Sequence, residues 1–391
     1  MFKLLPFLCM MLFSLCGRSQ IQPVVVPAYA RIPLDSLQKQ QLISSLNGLL
    51  SQLHGAHKDN TFVQPDYLVE TADLLDEVRG MGGPLPGMTV PCHCYLTNVS
   101  RLDSADYIVQ FSYLGLRDTM PLLRASFKLV AHRLGEGFVF HSPLKRNTVG
   151  WTTRRYADFT FHYSNYSLNE PIIKGYIGKA HQFDAKLHAP AYRTEFFCCG
   201  TFQEALEALG VDYKLEYNGV NGESLTAFEQ QTSLHVLGGT GPTLFDLHDL
   251  WHDRLHAAVP IGSINKPIDE ACAYLYGGSW GLSWEEVFRQ FKASMGDNRD
   301  WLSLFNENRN FAPPDQNHLY VSYVITALLV KKIEKEKGFS AVVQFLTCGK
   351  YQQDNENYFE ALDRITGINR SNFSASIQRL MDDPTIVPTA L

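Results

Sequence analysis

The spacing of apolar residues changes period several times along the chain, and each change marks an element. "LDSLQKQQLISSLNGLLSQLHG" (34–55) sets apolar residues at helical intervals, and "PDYLVETADLLDEVRGMGG" (65–83) predicts a second helix ending in glycines. Beyond it the period shortens to two. "YIVQFSYLGL" (107–116), "LLRASFKLVAHRL" (122–134) and "GFVFHSPL" (137–144) predict strands, with "GEG" (135–137) as the turn between the last two. Helices followed by antiparallel strands predict an α+β domain over residues 20–150.

Near residue 155 the pattern changes again. "YADFTFHYS" (156–164) predicts a strand, "IIKGYIGKAHQFDAKLHAP" (172–190) a helix, "TEFFCC" (194–199) a strand and "TFQEALEALGVDY" (201–213) a helix. Mostly helical patterns follow at 269–278, 283–296, 319–338, 340–349 and 357–367. The expected class is therefore α+β throughout. The second domain, residues 151–391, would carry a small mixed sheet feeding a helical C-terminal half.

Composition narrows the function classes. The 391 residues carry a formal net charge of -6, with 45% hydrophobic residues, an ordinary balance for a globular chain of more than one domain. The richest basic run, "KKIEKEKG" (331–338), alternates in sign, so no phosphate-tracking stripe exists and nucleic acid is excluded as an expected partner. There is no G-x-x-x-x-G-K-[ST] phosphate loop and no G-x-S-x-G nucleophile elbow.

The opening "MFKLLPFLCMMLFSLCGRSQ" joins one lysine to an apolar run that ends in small and polar residues. This predicts a signal peptide over residues 1–19, cut after Ser19, and hence a periplasmic or secreted protein. Lipidation at Cys16 is the lesser alternative, because Leu15 is bulky where a small residue is usual. No later stretch reads as transmembrane. Export permits disulfides, yet Cys92 and Cys94 flank one residue, and Cys198 and Cys199 are adjacent. Neither spacing suits a loop-closing bridge, and "PCHCY" (91–95) lacks a second cysteine pair at zinc-ribbon spacing. Buried thiols in strands are the expectation.

The chemistry concentrates in "LFDLHDLWHDRLHAAVP" (244–260), where His248, His252 and His256 stand four apart and the first two each precede an aspartate. With 13 histidines in the chain, about 0.4 such pairs arise by chance, and about 0.04 once an acid must follow the first histidine. On a helix, residues i and i+4 share a face, so two imidazoles can converge on one metal ion while the intervening acid lies at the edge of that face. "HDLWH" (248–252) has this layout. A third ligand is available in "INKPIDEACAYLYGG" (264–278), where Pro267 marks a helix start and Asp269 and Glu270 occupy its first turn. Ala271 and Ala273 are small enough for close approach of that helix. Asp269 is then a hydrogen-bond partner for a ligating imidazole, although an acid in a first turn also suits the helix dipole alone.

"HDLWH…IDEACAYLYGG" resembles the gluzincin metallopeptidases, in particular the peptidase-MA-like group related to thermolysin and the aminopeptidases. Those carry H-E-x-x-H on one helix and a glutamate ligand on the next, often within E-G-x-A-x-Y; here Glu270, Ala273 and Tyr274 hold comparable places. The resemblance is specific at the motif and architectural from residue 155 onward. It implies a zincin-like second domain with His248, His252 and Glu270 as Zn2+ ligands, Asp249 as general base and a peptide or protein as substrate. It also implies an oxyanion donor from the helical half, where "NHLYVSY" (317–323) offers His318, Tyr320 and Tyr323; Tyr320 is selected, the alternative being that all three are core or surface aromatics.

Two departures stand out. Asp249 is one methylene shorter than glutamate, which sets its carboxylate roughly 1.5 Å farther from the attacked water. The motif also overlaps itself as "HDRLH" (252–256); the first register leaves a spacing to Glu270 closer to the family's, and His256 then either supports a ligand or stands exposed. The expected function is an exported zinc-dependent peptidase. The alternatives are an inactive relative serving as a binding or assembly module at the cell envelope, and a helix whose histidines bind nothing.

Overall fold

A computed structural model describes residues 23–85, 91–164, 168–190, 192–215, 224–239, 242–296, 298–313 and 318–388. The expected signal segment and Cys16 lie outside the described residues. The chain is α+β, with an antiparallel sheet in its N-terminal part and a helical C-terminal half. It divides into two units, Met1–Asn147 with Leu206–Asn221, and Thr148–Ala205 with Gly222–Leu391.

The first unit begins with helix α1 (Ser36–Ser51), opened by Asp35, whose carboxylate accepts from the Gln38 backbone at 2.8 Å. Helix α2 (Leu68–Val78) follows, then strands β1 (His93–Arg101), β2 (Asp106–Arg117), β3 (Met120–Leu134) and β4 (Gly137–His141), and the single turn α3 (Leu144–Asn147). The strands pair antiparallel in the order β1-β2-β3-β4. Phe111, Phe127, Leu129 and Phe140 have no exposed surface, and Ser45 of α1 accepts the Phe138 backbone N–H of β4 at 3.1 Å. Val25 pairs alongside Tyr95, so the proline-bearing segment 27–35 leaves from the edge of β1.

One expected helix is corrected. Residues 201–213 do not form a single helix: α5 (Phe202–Leu209) stops at Gly210, and Val211–Lys214 is strand β8, antiparallel to β3. Gly210 is the cause. Its φ is +115°, and a Cβ there would lie 2.7 Å from the Lys128 carbonyl oxygen, so the chain can turn against β3 only without a side chain. Residues Leu206–Asn221 therefore belong to the first unit, although the sequence pattern groups them with the second domain.

The second unit holds a five-stranded mixed sheet in the order β5-β6-β7-β10-β9. Here β5 is Thr152–Tyr156, β6 Phe159–Tyr163, β7 Arg193–Cys199, β9 Ser224–Glu229 and β10 Thr232–Gly238. The three central strands run parallel and the two edges antiparallel. Helix α4 (Glu170–Leu187) makes the crossover from β6 to β7 and is capped by Asn169. The sequence pattern did not predict the β9–β10 hairpin, because its turn uses Gln230 and Gln231 at φ +48° and +61° in place of the usual Asn-Gly.

Among the described residues eight helices complete the unit: α6 (Leu247–Ala258), α7 (Lys266–Gly277), α8 (Trp284–Met295), α9 (Trp301–Glu307), α10 (Val321–Lys337), α11 (Phe339–Leu346), α12 (Glu356–Thr366) and α13 (Phe373–Asp382). The N-terminal turns of α10 bury Val321, Val324, Ile325, Ala327, Leu328 and Leu329 completely, which explains why its apolar residues do not keep to one stripe. Among the described residues no helix is long and apolar enough to cross a membrane. Cys92, Cys94, Cys198, Cys199 and Cys272 are buried; burial pushes Cys94 and Cys199 up to about 12, keeping their thiols protonated.

Candidate metal centre

Helix α6 carries the histidines because Asp246 starts it. The Asp246 carboxylate accepts from the His248 backbone N–H at 2.9 Å, fixing the first turn so that His248 and His252 project from one face. Val259 and Pro260 end the helix and the chain returns through a short turn to α7, whose first turn contains Pro267 and whose inner face buries Ala271 and Ala273. The two helices are also in close contact at Gly277. A Cβ there would sit 2.4 Å from the Leu247 carbonyl oxygen and 2.7 Å from the His248 nitrogen. The glycine at the end of α7 thus admits the start of α6.

Three ligand atoms meet across this contact. His248 Nε2 and His252 Nε2 are 3.2 Å apart, and Glu270 Oε2 stands 3.5 Å from the first and 4.0 Å from the second. Two ligands held about 2.1 Å from a zinc ion at the tetrahedral angle are roughly 3.4 Å apart, so the triangle has the dimensions of one face of such a site. His248, His252 and Glu270 therefore form a group able to hold a metal ion.

The other ring nitrogens are also engaged. His248 Nδ1 lies 2.9 Å from the Gly278 carbonyl oxygen and His252 Nδ1 lies 2.9 Å from Asp269 Oδ1. Each contact places the N–H on Nδ1 and leaves the Nε2 lone pair directed at the triangle. Asp269 is itself held by the buried Trp251, whose indole N–H donates to Oδ1 at 3.1 Å. Gly278 can present its carbonyl because its φ is +84°, and a Cβ would lie 2.1 Å from the Leu282 carbonyl oxygen.

Electrostatics follow from this packing. Burial alone would depress the His252 imidazole, but the Asp269 hydrogen bond and the Asp269, Glu270 and Asp249 charges raise it above the ordinary value. Burial opposes ionisation of Asp269, yet His252 and His256 hold its carboxyl down at about 2. Against the same penalty, the facing imidazoles of His248 and His252 hold Glu270 below the usual carboxylate range. The carboxylates are thus ionised at neutral pH, as ligation of a cation requires.

The triangle opens onto a cleft of about 660 Å3 lined by His248, Asp249, His252, Glu270, Tyr274, His318, Tyr320 and Tyr323, among others. Asp249 thus shares the cleft with all three candidate ligands. Tyr320 is not within α10 but precedes it, bridged to Asn310, with its backbone N–H 3.4 Å from the Tyr274 hydroxyl. His256 is partly exposed, with Nε2 3.6 Å from Asp269 Oδ2. Among the described residues neither cysteine of "PCHCY" joins a group able to hold a metal.

Asp246, Trp251, Gly277 and Gly278 were not singled out by the sequence as parts of this centre. Their signals are only legible once α6 and α7 are known to touch: a capping aspartate two residues before the first ligand, and a Gly-Gly pair closing the helix that carries the third. No protein-family model matches the chain, and no curated protein matches it.

Proposed function

We propose that the chain is an exported zinc-dependent peptidase of the gluzincin kind, hydrolysing peptide bonds of a peptide or protein substrate. The observation that carries this reading is the convergence of His248 Nε2, His252 Nε2 and Glu270 Oε2 at 3.2, 3.5 and 4.0 Å. When bound there, zinc polarises a carbonyl and acidifies a water. Asp249, at the edge of the ligand face and within the same cleft, accepts the proton of the attacking water and returns it to the leaving amine. The Tyr320 hydroxyl donates to the oxygen that gains charge as the carbonyl is attacked. Trp251 and Asp269 hold His252 in the tautomer that ligates.

A second reading is favoured by the length of Asp249. A carboxylate set back by roughly 1.5 Å suits a protein that keeps the metal without turnover and serves as a binding or assembly module at the cell envelope. Incubating the zinc-loaded protein with a peptide library separates the two. The peptidase reading expects cleavage by the wild type, a loss of at least about 100-fold in Asp249→Asn with zinc content unchanged, and retained or higher activity in Asp249→Glu. Zinc bound without cleavage by either the wild type or Asp249→Glu would leave the binding reading.

A further inference from the structure

The segment "HDLWHDRLH" contains the histidine-aspartate pattern twice, sharing His252. Helix α7 answers with two adjacent carboxylates, and the structure gives one to each register. Glu270 faces His248 and His252, whereas Asp269 faces His252 and His256. The second group, His252, His256 and Asp269, also brings one potential ligand atom from each residue within 4.8 Å of the others.

Asp269 is divided between two tasks. Its Oδ1 takes the Trp251 and His252 hydrogen bonds at 3.1 and 2.9 Å, and its Oδ2 faces His256 Nε2 at 3.6 Å. That last separation is long for a hydrogen bond but matches the roughly 3.4 Å between two ligands of one tetrahedral ion. The space beside it is a cleft of about 550 Å3 lined by His252, Asp253, His256, Lys266 and Asp269, with room for water to complete a coordination shell.

We propose a second, weaker divalent-cation site on His256, Asp269 and His252 Nδ1, whose proton is released to solvent so that His252 bridges the two ions as an imidazolate. It rests on the reading that His248, His252 and Glu270 take zinc. Filling it draws on Asp269 and His252, both already committed to the first centre, so excess metal loosens the first ion. The peptidase would then be limited at both low and high zinc. Its ligands explain the lower affinity: the His256 side chain is 39% exposed, and His252 must give up the Nδ1 proton that it donates to Asp269.

Equilibrium dialysis of the purified, tag-free protein against Zn2+ tests this, with His248→Ala, His252→Ala and His256→Ala beside the wild type. The wild type should take two equivalents, the second half-saturating at about 10–100-fold higher free zinc. His256→Ala should keep only the tight equivalent, His248→Ala only the weak one, and His252→Ala neither. His256→Asn, a shorter polar side chain at an exposed position, should match His256→Ala and guards against a folding artefact. One equivalent in the wild type, lost in His248→Ala and intact in His256→Ala, would overturn the second site while the first stands. A second equivalent that persists in His256→Ala would overturn it as well. No uptake by any form would overturn both.

Discussion

At the scale of single residues, the proposed centre depends on side chains outside the His248, His252 and Glu270 triangle. Trp251 has no exposed surface, and its indole N–H fixes Asp269, which fixes His252. Replacing it with phenylalanine keeps an aromatic ring in the core but removes the donor from Asp269. Trp251→Phe is expected to fold and to bind zinc about 10-fold more weakly or worse, read by competition with a chromophoric chelator; unchanged affinity would contradict the role given to Trp251. The four acidic and histidine positions 248, 252, 269 and 270 were legible in the sequence because ligands need particular residue types at helical spacing. Trp251 was legible only as a packing residue, since nothing local shows that its N–H has an acceptor 18 positions away.

Among the elements, the pair α6 and α7 sets the geometry, and its tolerance is smallest at Gly277. A methyl group there would enter the space of the Leu247 carbonyl and the His248 nitrogen. Because both are backbone atoms at the start of α6, relief requires that helix to move. Gly277→Ala should cost about 1–3 kcal/mol of stability and lower zinc affinity together with it, measured by thermal melting with and without zinc. A variant that melts and binds as the wild type does would mean that the helices are not in the close contact described. Long helices and regular strands were readable from their period, as α4, α10, β2 and β3 show. Beyond β1, α9 and α13, which the pattern also left unread, some missed elements have identifiable causes. Strand β5 is "TTRRY", with four of its five residues exposed and no apolar alternation. The β9–β10 hairpin turns on two glutamines, and α5 yields to β8 at a glycine whose necessity comes from a neighbouring strand.

For the whole molecule, buried histidines set how the protein responds to acid. Burial lowers His141 and His235 below their ordinary value of 6.5, so each stays neutral in the folded chain while the unfolded chain takes up a proton. The unfolded state then binds more protons as pH falls below about 6.5, and stability contributed by these groups is present above that value and lost beneath it. His252 works in the opposite sense in the metal-free protein. Its value is raised, so its contribution is present below 6.5 and lost as pH rises through the folded value. The apoprotein should therefore lose stability less steeply between pH 6.5 and 5 in His235→Gln than in the wild type, followed by chemical denaturation at each pH. An equal or steeper loss in the variant would contradict the neutral His235 inferred from its burial against Phe196 and Ser233.

The sequence pattern divides the chain near residue 150 and keeps 206–221 with the second domain, whereas the contacts group Leu206–Asn221 with the first unit. Sequence order cannot show which sheet a four-residue strand joins.

The most direct measurement is the zinc content of the tag-free protein, by elemental analysis after dialysis at low free metal, where only the tight site fills. The account predicts one zinc per chain, lost in both His248→Ala and Glu270→Ala while far-UV circular dichroism is unchanged. A folded wild-type protein that takes up no zinc when it is supplied, or one whose zinc survives both substitutions, would contradict the central claim that these residues build a metal centre.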